Sequence, residues 1–198
     1  MPKVIVALEN DISTDDIYPG RFMATVLPTE TPQYAFFDRT DFNAALKAKT
    51  FPPGSVIVGG ENFGCGSSRE QACSTLKGYD LAVVARSISR IFLQNSINLG
   101  LQVVICPGVE ASVGDELEIT ADKVLNRTTG QTFDQVKLPA ARKGIMDAGG
   151  SHPLHPRPDH GPGLRPPAWS RPVRLSLRPR LSGCRPHFPR QPHPPRRS

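Results

Sequence analysis

Residues 59–72, which read GGENFGCGSSREQA, decide the fold of this chain and the chemistry that it can carry. The apolar residues 55–58 before them predict a strand, and residues 68–76 predict a helix that follows a glycine-rich turn. The turn delivers three polar residues to the first turn of that helix: Ser67, Ser68 and Arg69. Unpaired N–H groups at a helix start favour an anion, and the fork of Arg69 suits a carboxylate. The stretch therefore predicts a carboxylate site beside a serine oxygen. The alternative is a plain glycine-rich connection with a serine N-cap and an outward arginine.

Strands and helices alternate on both sides of this stretch. Residues 3–7, 81–85 and 101–106 are apolar enough to predict strands, and residues 38–49 and 89–99 have helical spacing. A hairpin is predicted later, with strands at 117–120 and 124–126 and the turn TTGQ after them. This order is typical of an α/β domain with a mixed sheet.

Three local details complete this prediction. Residues 11–20 predict a polar turn, and Lys77-Gly78 predict the cap that ends the helix at 68–76. Three residues of the helix at 89–99 are expected to form a core stripe: Ile91, Phe92 and Ile97.

Composition divides the 198 residues into two unlike parts. Residues 1–150 hold 14 Lys and Arg against 17 Asp and Glu, a net charge of −3, whereas residues 151–198 hold ten Arg and one acid, a net charge of +9. The second part also holds 13 of the 21 prolines and all five histidines. We therefore predict one folded domain at 1–150 and a disordered tail at 151–198.

The composition of the tail indicates an error of reading frame. It is rich in Arg, Pro, Gly, Ser, His and Leu and has no Lys, Ile, Met, Asn, Thr, Tyr or Glu. Such a composition resembles GC-rich DNA translated in the wrong frame, so a frameshift after Gly150 is our hypothesis. The alternative is a basic tail that binds nucleic acid. Residues 1–150 are net acidic and lack interleaved aromatic and basic residues, which disfavours nucleic acid as a partner.

Several classes of protein are disfavoured by what the sequence lacks. It has no stretch of 18 apolar residues, and its start lacks the basic and long apolar regions of a secretory signal, so we expect a cytoplasmic protein without membrane contact. The three cysteines before Gly150 form no CxxC pair, which disfavours a metal or iron–sulfur site within this chain. No histidine precedes His152, so the body cannot hold a Ser-His-Asp triad.

Several motifs resemble one known family, in the order that the family has them. GCGSSRE resembles the signature of the aconitase superfamily's swivelling domain, which isopropylmalate dehydratases carry as a separate small subunit. DISTDDIYPGRF at residues 11–22 resembles the family's amino-terminal motif, and ARSISRIFLQNSINLGL at residues 85–101 resembles the helix that follows the serine motif. GDELEI, TTGQTF and GIMDAGG resemble its closing segments. The resemblance covers residues 1–150 and implies a layered β/β/α swivelling fold.

The resemblance also implies a reaction and a partner. The family removes and re-adds water on hydroxy di- or tricarboxylic acids, with a four-iron, four-sulfur cluster as Lewis acid. The cluster belongs to a large subunit, so this chain would bind no cofactor itself and would be active only with that partner. The leading expectation is the small subunit of 3-isopropylmalate dehydratase, a hydro-lyase of leucine biosynthesis. The alternatives are a homoaconitase small subunit of lysine biosynthesis and a non-catalytic regulatory relative.

The family's roles carry over to the matching residues. Ser67 would be the catalytic base, Asp15 a catalytic-site aspartate, and Ser68 with Arg69 the ligands of a substrate carboxylate. A loop that reads the variable group of the substrate would contain three further residues: Arg21, Phe22 and Met23. Asp15 has the alternative of a turn-forming residue. Phe22 and Met23 have the alternative of core residues, and Arg21 would favour the extra carboxylate of homoaconitate.

Overall fold

The computed structural model describes residues 2–151. The disordered tail and the frameshift that we expect after Gly150 fall almost wholly on residues 152–198, which lie outside the described residues. Within residues 2–151, none of the helices has the length and apolar character that a membrane crossing requires.

Two sheets and five α-helices build the described part of the chain. The strands are β1 (Val4–Ala7), β2 (Val56–Gly59), β3 (Ala82–Ala85), β4 (Val103–Ile105), β5 (Leu117–Ile119), β6 (Lys123–Asn126) and β7 (Thr132–Asp134). The helices are α1 (Thr14–Ile17), α2 (Thr40–Lys47), α3 (Glu70–Gly78), α4 (Arg90–Leu99) and α5 (Ala140–Asp147), with short 3-10 turns at Gly20–Phe22 and Thr31–Tyr34.

The two sheets divide the pairing types between them. Strands β1 to β4 form a parallel sheet in the order β1-β2-β3-β4, and β5, β6 and β7 form an antiparallel sheet. Each parallel strand lies beside the one before it in the chain. Because the strand order runs in one direction, right-handed crossovers place α2, α3 and α4 on the same face of the parallel sheet.

The other face of the parallel sheet packs on the antiparallel sheet. Val56 and Val58 of β2 lie in one apolar cluster with Leu117 of β5, whereas Ile57 lies in a second cluster with Leu76 of α3. Side chains alternate between the two faces of a strand, so β2 is buried from both sides. The resulting layers are antiparallel sheet, parallel sheet and helices. The predicted α/β fold with β/β/α layers is confirmed.

The polar turn expected at residues 11–20 is wrong in part, because a helix lies inside it. The Ser13 hydroxyl accepts a hydrogen bond from the Asp16 N–H, and the Asp16 carboxylate accepts one from the Ser13 N–H. This reciprocal capping box supports the single turn of α1. The segment therefore contains a capped helical turn rather than only an open loop.

Two helix details are also wrong. Helix α3 continues through Gly78, whose Cβ position would lie 2.3 Å from Pro32 Cγ, and the left-handed residue after the helix is Asp80, with φ of 53°. Close packing, rather than a cap, therefore explains the glycine. In α4, Ile91 is 49% exposed while Phe92 is 1% exposed. One helical step of about 100° turns Ile91 away from the core.

Candidate active site

The site lies where the chain leaves the carboxyl end of β2. Gly64 and Gly66 have φ of 75° and 91°, which side-chain residues rarely adopt. A Cβ at Gly64 would also lie 2.3 Å from the Phe92 ring, so this loop can pass over α4 only with glycine there. The Ser89 hydroxyl donates to the Gly64 carbonyl at 2.5 Å and fixes the crossing point. The glycines thus bend the loop back towards α1.

The serine pair precedes the helix instead of opening it, which corrects the predicted helix start. Helix α3 begins at Glu70, and its N-cap residue Arg69 has extended backbone angles of −65° and 114° with no capping side-chain bond. Ser67 and Ser68 therefore lie in the loop and are exposed. The serine N-cap of the alternative interpretation is absent, because the N-cap residue of α3 is Arg69.

Backbone hydrogen bonds join this loop to the start of α1. The N–H groups of Gly64 and Cys65 donate to the Ile12 carbonyl at 2.7 and 3.2 Å, and the Thr14 N–H donates to the Cys65 carbonyl at 2.8 Å. The Thr14 hydroxyl accepts from the Ser67 N–H and donates to the Ser67 carbonyl, both at 3.1 Å. Two segments more than 50 residues apart in the chain thus form one unit.

Arg69 and Asp15 form a two-point ion pair at this junction. Arg69 Nη1 lies 2.5 Å from Asp15 Oδ1, and Nη2 lies 3.2 Å from Oδ2. Nη1 also donates to the Tyr18 carbonyl at 3.3 Å. The Arg69 side chain is only 13% exposed, whereas that of Asp15 is 62% exposed. The guanidinium is therefore held in one orientation by partners on α1 and just after it.

The charge of Asp15 is fixed by the same contacts. Hydrogen bonds from Arg69 and then from the Gly20 N–H, at 2.7 Å, lower the pKa of the Asp15 carboxyl below its usual value. Asp15 is thus ionised at neutral pH and offsets the charge of Arg69. The Nε of Arg69 is buried and has no hydrogen-bond partner within residues 2–151.

The serine hydroxyls remain free for a ligand. Within the described residues, no group bonds to the Oγ of Ser67 or of Ser68, although both backbones are held. Asn95 of α4 donates from Nδ2 to the Ser68 carbonyl at 3.2 Å. The uncapped N–H groups at the start of α3 follow directly. The arrangement can therefore hold an anion against two hydroxyls, a guanidinium and a helix start.

The predicted specificity loop divides into packed and exposed residues. The Phe22 ring stacks on Tyr34 at 4.1 Å and contacts Phe37 at 4.7 Å, so Phe22 is held in an aromatic cluster. Arg21 forms an ion pair with Asp38 and lies 5.0 Å from the Phe22 ring. Met23 is 46% exposed. The chain beside the site thus offers Met23, rather than Phe22, to a ligand.

The described residues do not offer a cluster or metal site. Residues 2–151 contain no group of three His, Cys, Asp or Glu side chains that could hold a metal ion. Cys73 and Cys106 are buried, and burial raises the pKa of the Cys73 thiol to about 12. Only Cys65 lies in the site loop, with its Sγ 3.4 Å from the Asp11 carbonyl. Three separate thiols of this kind do not fit an iron–sulfur cluster.

Three residues of the site were missed by sequence reasoning. Thr14 and Gly20 stand in the motif DISTDDIYPGRF beside the residues that we singled out, and Asn95 stands in the motif ARSISRIFLQNSINLGL. Gly20 approaches the guanidinium so closely that its Cβ position would lie 2.9 Å from Arg69 Nη2. The only available signal was their place inside recognised motifs, because long-range contacts decide their roles.

Comparison with known proteins places this geometry in a family. The Aconitase C-terminal domain family matches residues 10–106, which contain Asp15 and the loop from Ser67 to Arg69. An isopropylmalate/citramalate isomerase small subunit from Methanocaldococcus jannaschii is 41% identical over 150 residues, which are 73% of this chain and 86% of that protein. This chain belongs to the aconitase C-terminal domain family.

Other relatives of this aconitase-family chain have consistent names. A 3-isopropylmalate dehydratase small subunit from Methanosarcina mazei is 41% identical over 146 residues, 71% of this chain and 87% of that one. The crystal structure of a 3-isopropylmalate dehydratase from Methanocaldococcus jannaschii superimposes with a TM-score of 0.66 and 34% identity, and covers 75% of this chain and 88% of that one. The family resemblance predicted from the motifs is confirmed.

Proposed function

We propose that this chain is the small subunit of a 3-isopropylmalate dehydratase, a two-subunit hydro-lyase. The observation that carries the proposal is that two serines with unbonded hydroxyls directly precede an arginine with a fixed guanidinium, within the segment that matches the family. The large subunit would supply the remaining groups, because residues 2–151 hold neither a histidine nor a metal-ligand cluster. A four-iron, four-sulfur cluster of that partner would act as the Lewis acid on the substrate hydroxyl.

In the proposed reaction, Arg69 and Ser68 hold a substrate carboxylate and Ser67 moves a proton. The Ser67 oxygen, as an alkoxide, accepts the proton from the carbon next to the carbinol carbon, and the C–H electron pair forms the double bond. The C–O bond breaks, and the hydroxyl would leave as water with a proton from a general acid of the large subunit. Rehydration at the other carbon reverses these roles. The N–H groups at the start of α3 would stabilise the alkoxide, since Asp15 already offsets the charge of Arg69.

We assign Asp15 to positioning rather than to proton transfer. A carboxyl with a lowered pKa is a weak proton acceptor, and both of its oxygens already accept hydrogen bonds from Arg69. Asp15 would therefore orient the guanidinium that receives the substrate. Arg69 Nε has no partner but is buried, so a substrate carboxylate would bind at the terminal nitrogens and share them with Asp15.

The substrate is proposed to carry an alkyl group at its variable position. Arg21 is engaged by Asp38, so the arginine that would favour the extra carboxylate of homoaconitate is already paired. Exposed Met23 offers an apolar surface instead. Citramalate is a second candidate, because a relative at 41% identity is named for both isopropylmalate and citramalate.

The test of this function is a parallel assay of three substrates. Residues 1–150 would be combined anaerobically with the large subunit encoded beside this chain, and the unsaturated acid would be measured from isopropylmalate, citramalate and homocitrate. We expect turnover of isopropylmalate or citramalate only with both chains present. Turnover of homocitrate alone would replace the substrate, and no turnover in a stable, cluster-loaded complex would contradict the function.

The proposal also covers the domain boundary and the location. We propose that the folded domain ends at Gly150, that residues 151–198 result from a frameshift, and that the protein is cytoplasmic. Relatives that cover 71–76% of this chain support such a division. The intact mass of the native protein tests it, because a mass of 21.6 kDa would contradict the frameshift. Cell fractionation tests the location.

A further inference from the structure

Thr14 is a buried residue whose hydroxyl touches the serine loop at one residue only. Its side chain lies beneath the loop and the residue is 2% exposed. The Thr14 Oγ1 accepts from the Ser67 N–H at 3.1 Å and donates to the Ser67 carbonyl at 3.1 Å. One hydroxyl therefore holds both backbone polar groups of the proposed base. Water competes little with these bonds because the hydroxyl is buried.

The position of Thr14 is itself fixed on every side. Its N–H donates to the Cys65 carbonyl at 2.8 Å, and its carbonyl accepts from the Tyr18 N–H at 2.9 Å. The capping box between Ser13 and Asp16 stabilises the turn that carries it. Branching at Cβ restricts the rotamers of threonine, so the hydroxyl has little freedom to leave the loop. Gly66, with φ of 91°, brings the chain back within reach of it.

The Ser67 hydroxyl is unbonded within the described residues, so the contact between Thr14 and the Ser67 backbone bears on the proposed base. No group within residues 2–151 bonds to Ser67 Oγ, so the direction of the side chain depends on how the Ser67 backbone is held. A base must lie within hydrogen-bond reach of the proton that it accepts. A fixed backbone confines the unbonded Ser67 oxygen to its three staggered χ1 positions, so the oxygen is restricted without being occupied.

We propose that Thr14 is a positioning residue, which fixes the backbone of Ser67 through its buried hydroxyl and thereby aims Ser67 Oγ at the substrate. This inference rests on the proposed function for the role of Ser67. It separates the two neighbours on α1: Thr14 acts on the proton-transfer step through Ser67, and Asp15 acts on carboxylate binding through Arg69.

Three variants test the role of Thr14 in the complex with the large subunit. Thr14→Val keeps the shape but removes both hydrogen bonds, Thr14→Ser restores the hydroxyl, and Thr75→Val is the matched control. Thr75 is also fully buried, and its hydroxyl donates to the Thr31 carbonyl at 2.6 Å on the far part of α3. Loss of a buried threonine hydroxyl as such would therefore affect both sites alike.

A misplacement of about 1 Å at a catalytic group costs about 100-fold in rate. We therefore expect Thr14→Val to lower kcat by about 10- to 100-fold with KM changed less than about twofold, Thr14→Ser to recover most of kcat, and Thr75→Val to keep the wild-type kcat.

An amide measurement on the chain alone supplies a readout that is independent of turnover. In Thr14→Val the Ser67 amide should shift in the NMR spectrum and lose protection from hydrogen exchange, while Thr14→Ser keeps the protected amide. An inactive wild-type complex would contradict the proposed function. An active wild type with unchanged kcat in Thr14→Val, or an unchanged Ser67 amide, would overturn the role of Thr14.

Discussion

Gly20 lies against the guanidinium of Arg69. Replacing Gly20 with alanine should therefore lower activity without lowering the stability of the chain. A Cβ at this position would lie 2.9 Å from Nη2, 3.3 Å from Cζ and 3.4 Å from Nη1 of Arg69. Gly20 does not have a positive φ, so its backbone accepts alanine. Only the guanidinium has to move. It is the end of a flexible side chain, so the protein loses little stability.

The size of the effect follows from that displacement. Contacts of 3.4 Å or more are ordinary, so Nη2 has to move by about 0.5 Å from its place beside Asp15. Since a 1 Å error costs about 100-fold, we expect Gly20→Ala to lower kcat/KM by about tenfold. The free energy of unfolding should stay equal or rise by up to about 1 kcal/mol, because alanine restricts the unfolded chain.

Gly144→Ala provides the control for this experiment. Gly144 lies inside α5 with no heavy atom within 4 Å of its Cβ position, so alanine should stabilise the chain by about 0.5–1 kcal/mol and leave kcat/KM unchanged. Steady-state kinetics of the two-subunit complex and urea unfolding of the chain measure both quantities. An unchanged kcat/KM in Gly20→Ala would refute the argument that the Arg69 position matters for the substrate.

Four further substitutions test the proposed roles of site residues and the backbone strain after α2. Ser67→Ala should lower kcat by about 10²–10⁴-fold while the chain still assembles with the large subunit, as gel filtration would show; a fully active variant would remove Ser67 from the mechanism. Arg69→Lys should raise KM by about tenfold because the fork is lost, and an unchanged KM would place Arg69 outside the substrate site. Lys49→Gly should stabilise the chain by about 0.5–1 kcal/mol, because Lys49 follows α2 with a φ of 51°, which glycine adopts more easily. Ala44→Gly inside α2 should destabilise the chain by about 1 kcal/mol. Urea unfolding decides between these signs, and a destabilised Lys49→Gly would contradict the strain argument.

The strands and long helices could be predicted from the sequence because local periodicity determines them. The apolar run at β2 and the helix α4, with its Ser89 N-cap and Gly100 at φ of 70°, agree with the prediction. Helix α5 was not predicted, since Met146 is its only buried residue and Ile145 is its only other large apolar residue. The start of α3 could not be predicted, because Ser67 and Arg69 are held outside the helix by contacts with α1.

The candidate site shows the same division between local and long-range causes. The residue types of Ser67, Ser68 and Arg69 indicated an anion site, and the structure places Asp15 in contact with Arg69. No sequence pattern indicated that this contact would engage both terminal nitrogens of Arg69. The paired state of Arg21 was equally hidden, because Asp38 lies 17 residues away. Partners at such separations are decided by the fold.

A titration of the large subunit with this chain would show whether the two chains form one enzyme. A fixed amount of cluster-loaded large subunit would receive increasing amounts of residues 1–150, and the initial rate of unsaturated-acid formation from isopropylmalate would be recorded. We predict no turnover by either chain alone and a rate that rises to a plateau near equal amounts of the two. A large subunit that is fully active without this chain, or a stable complex that stays inactive at every ratio, would contradict the account.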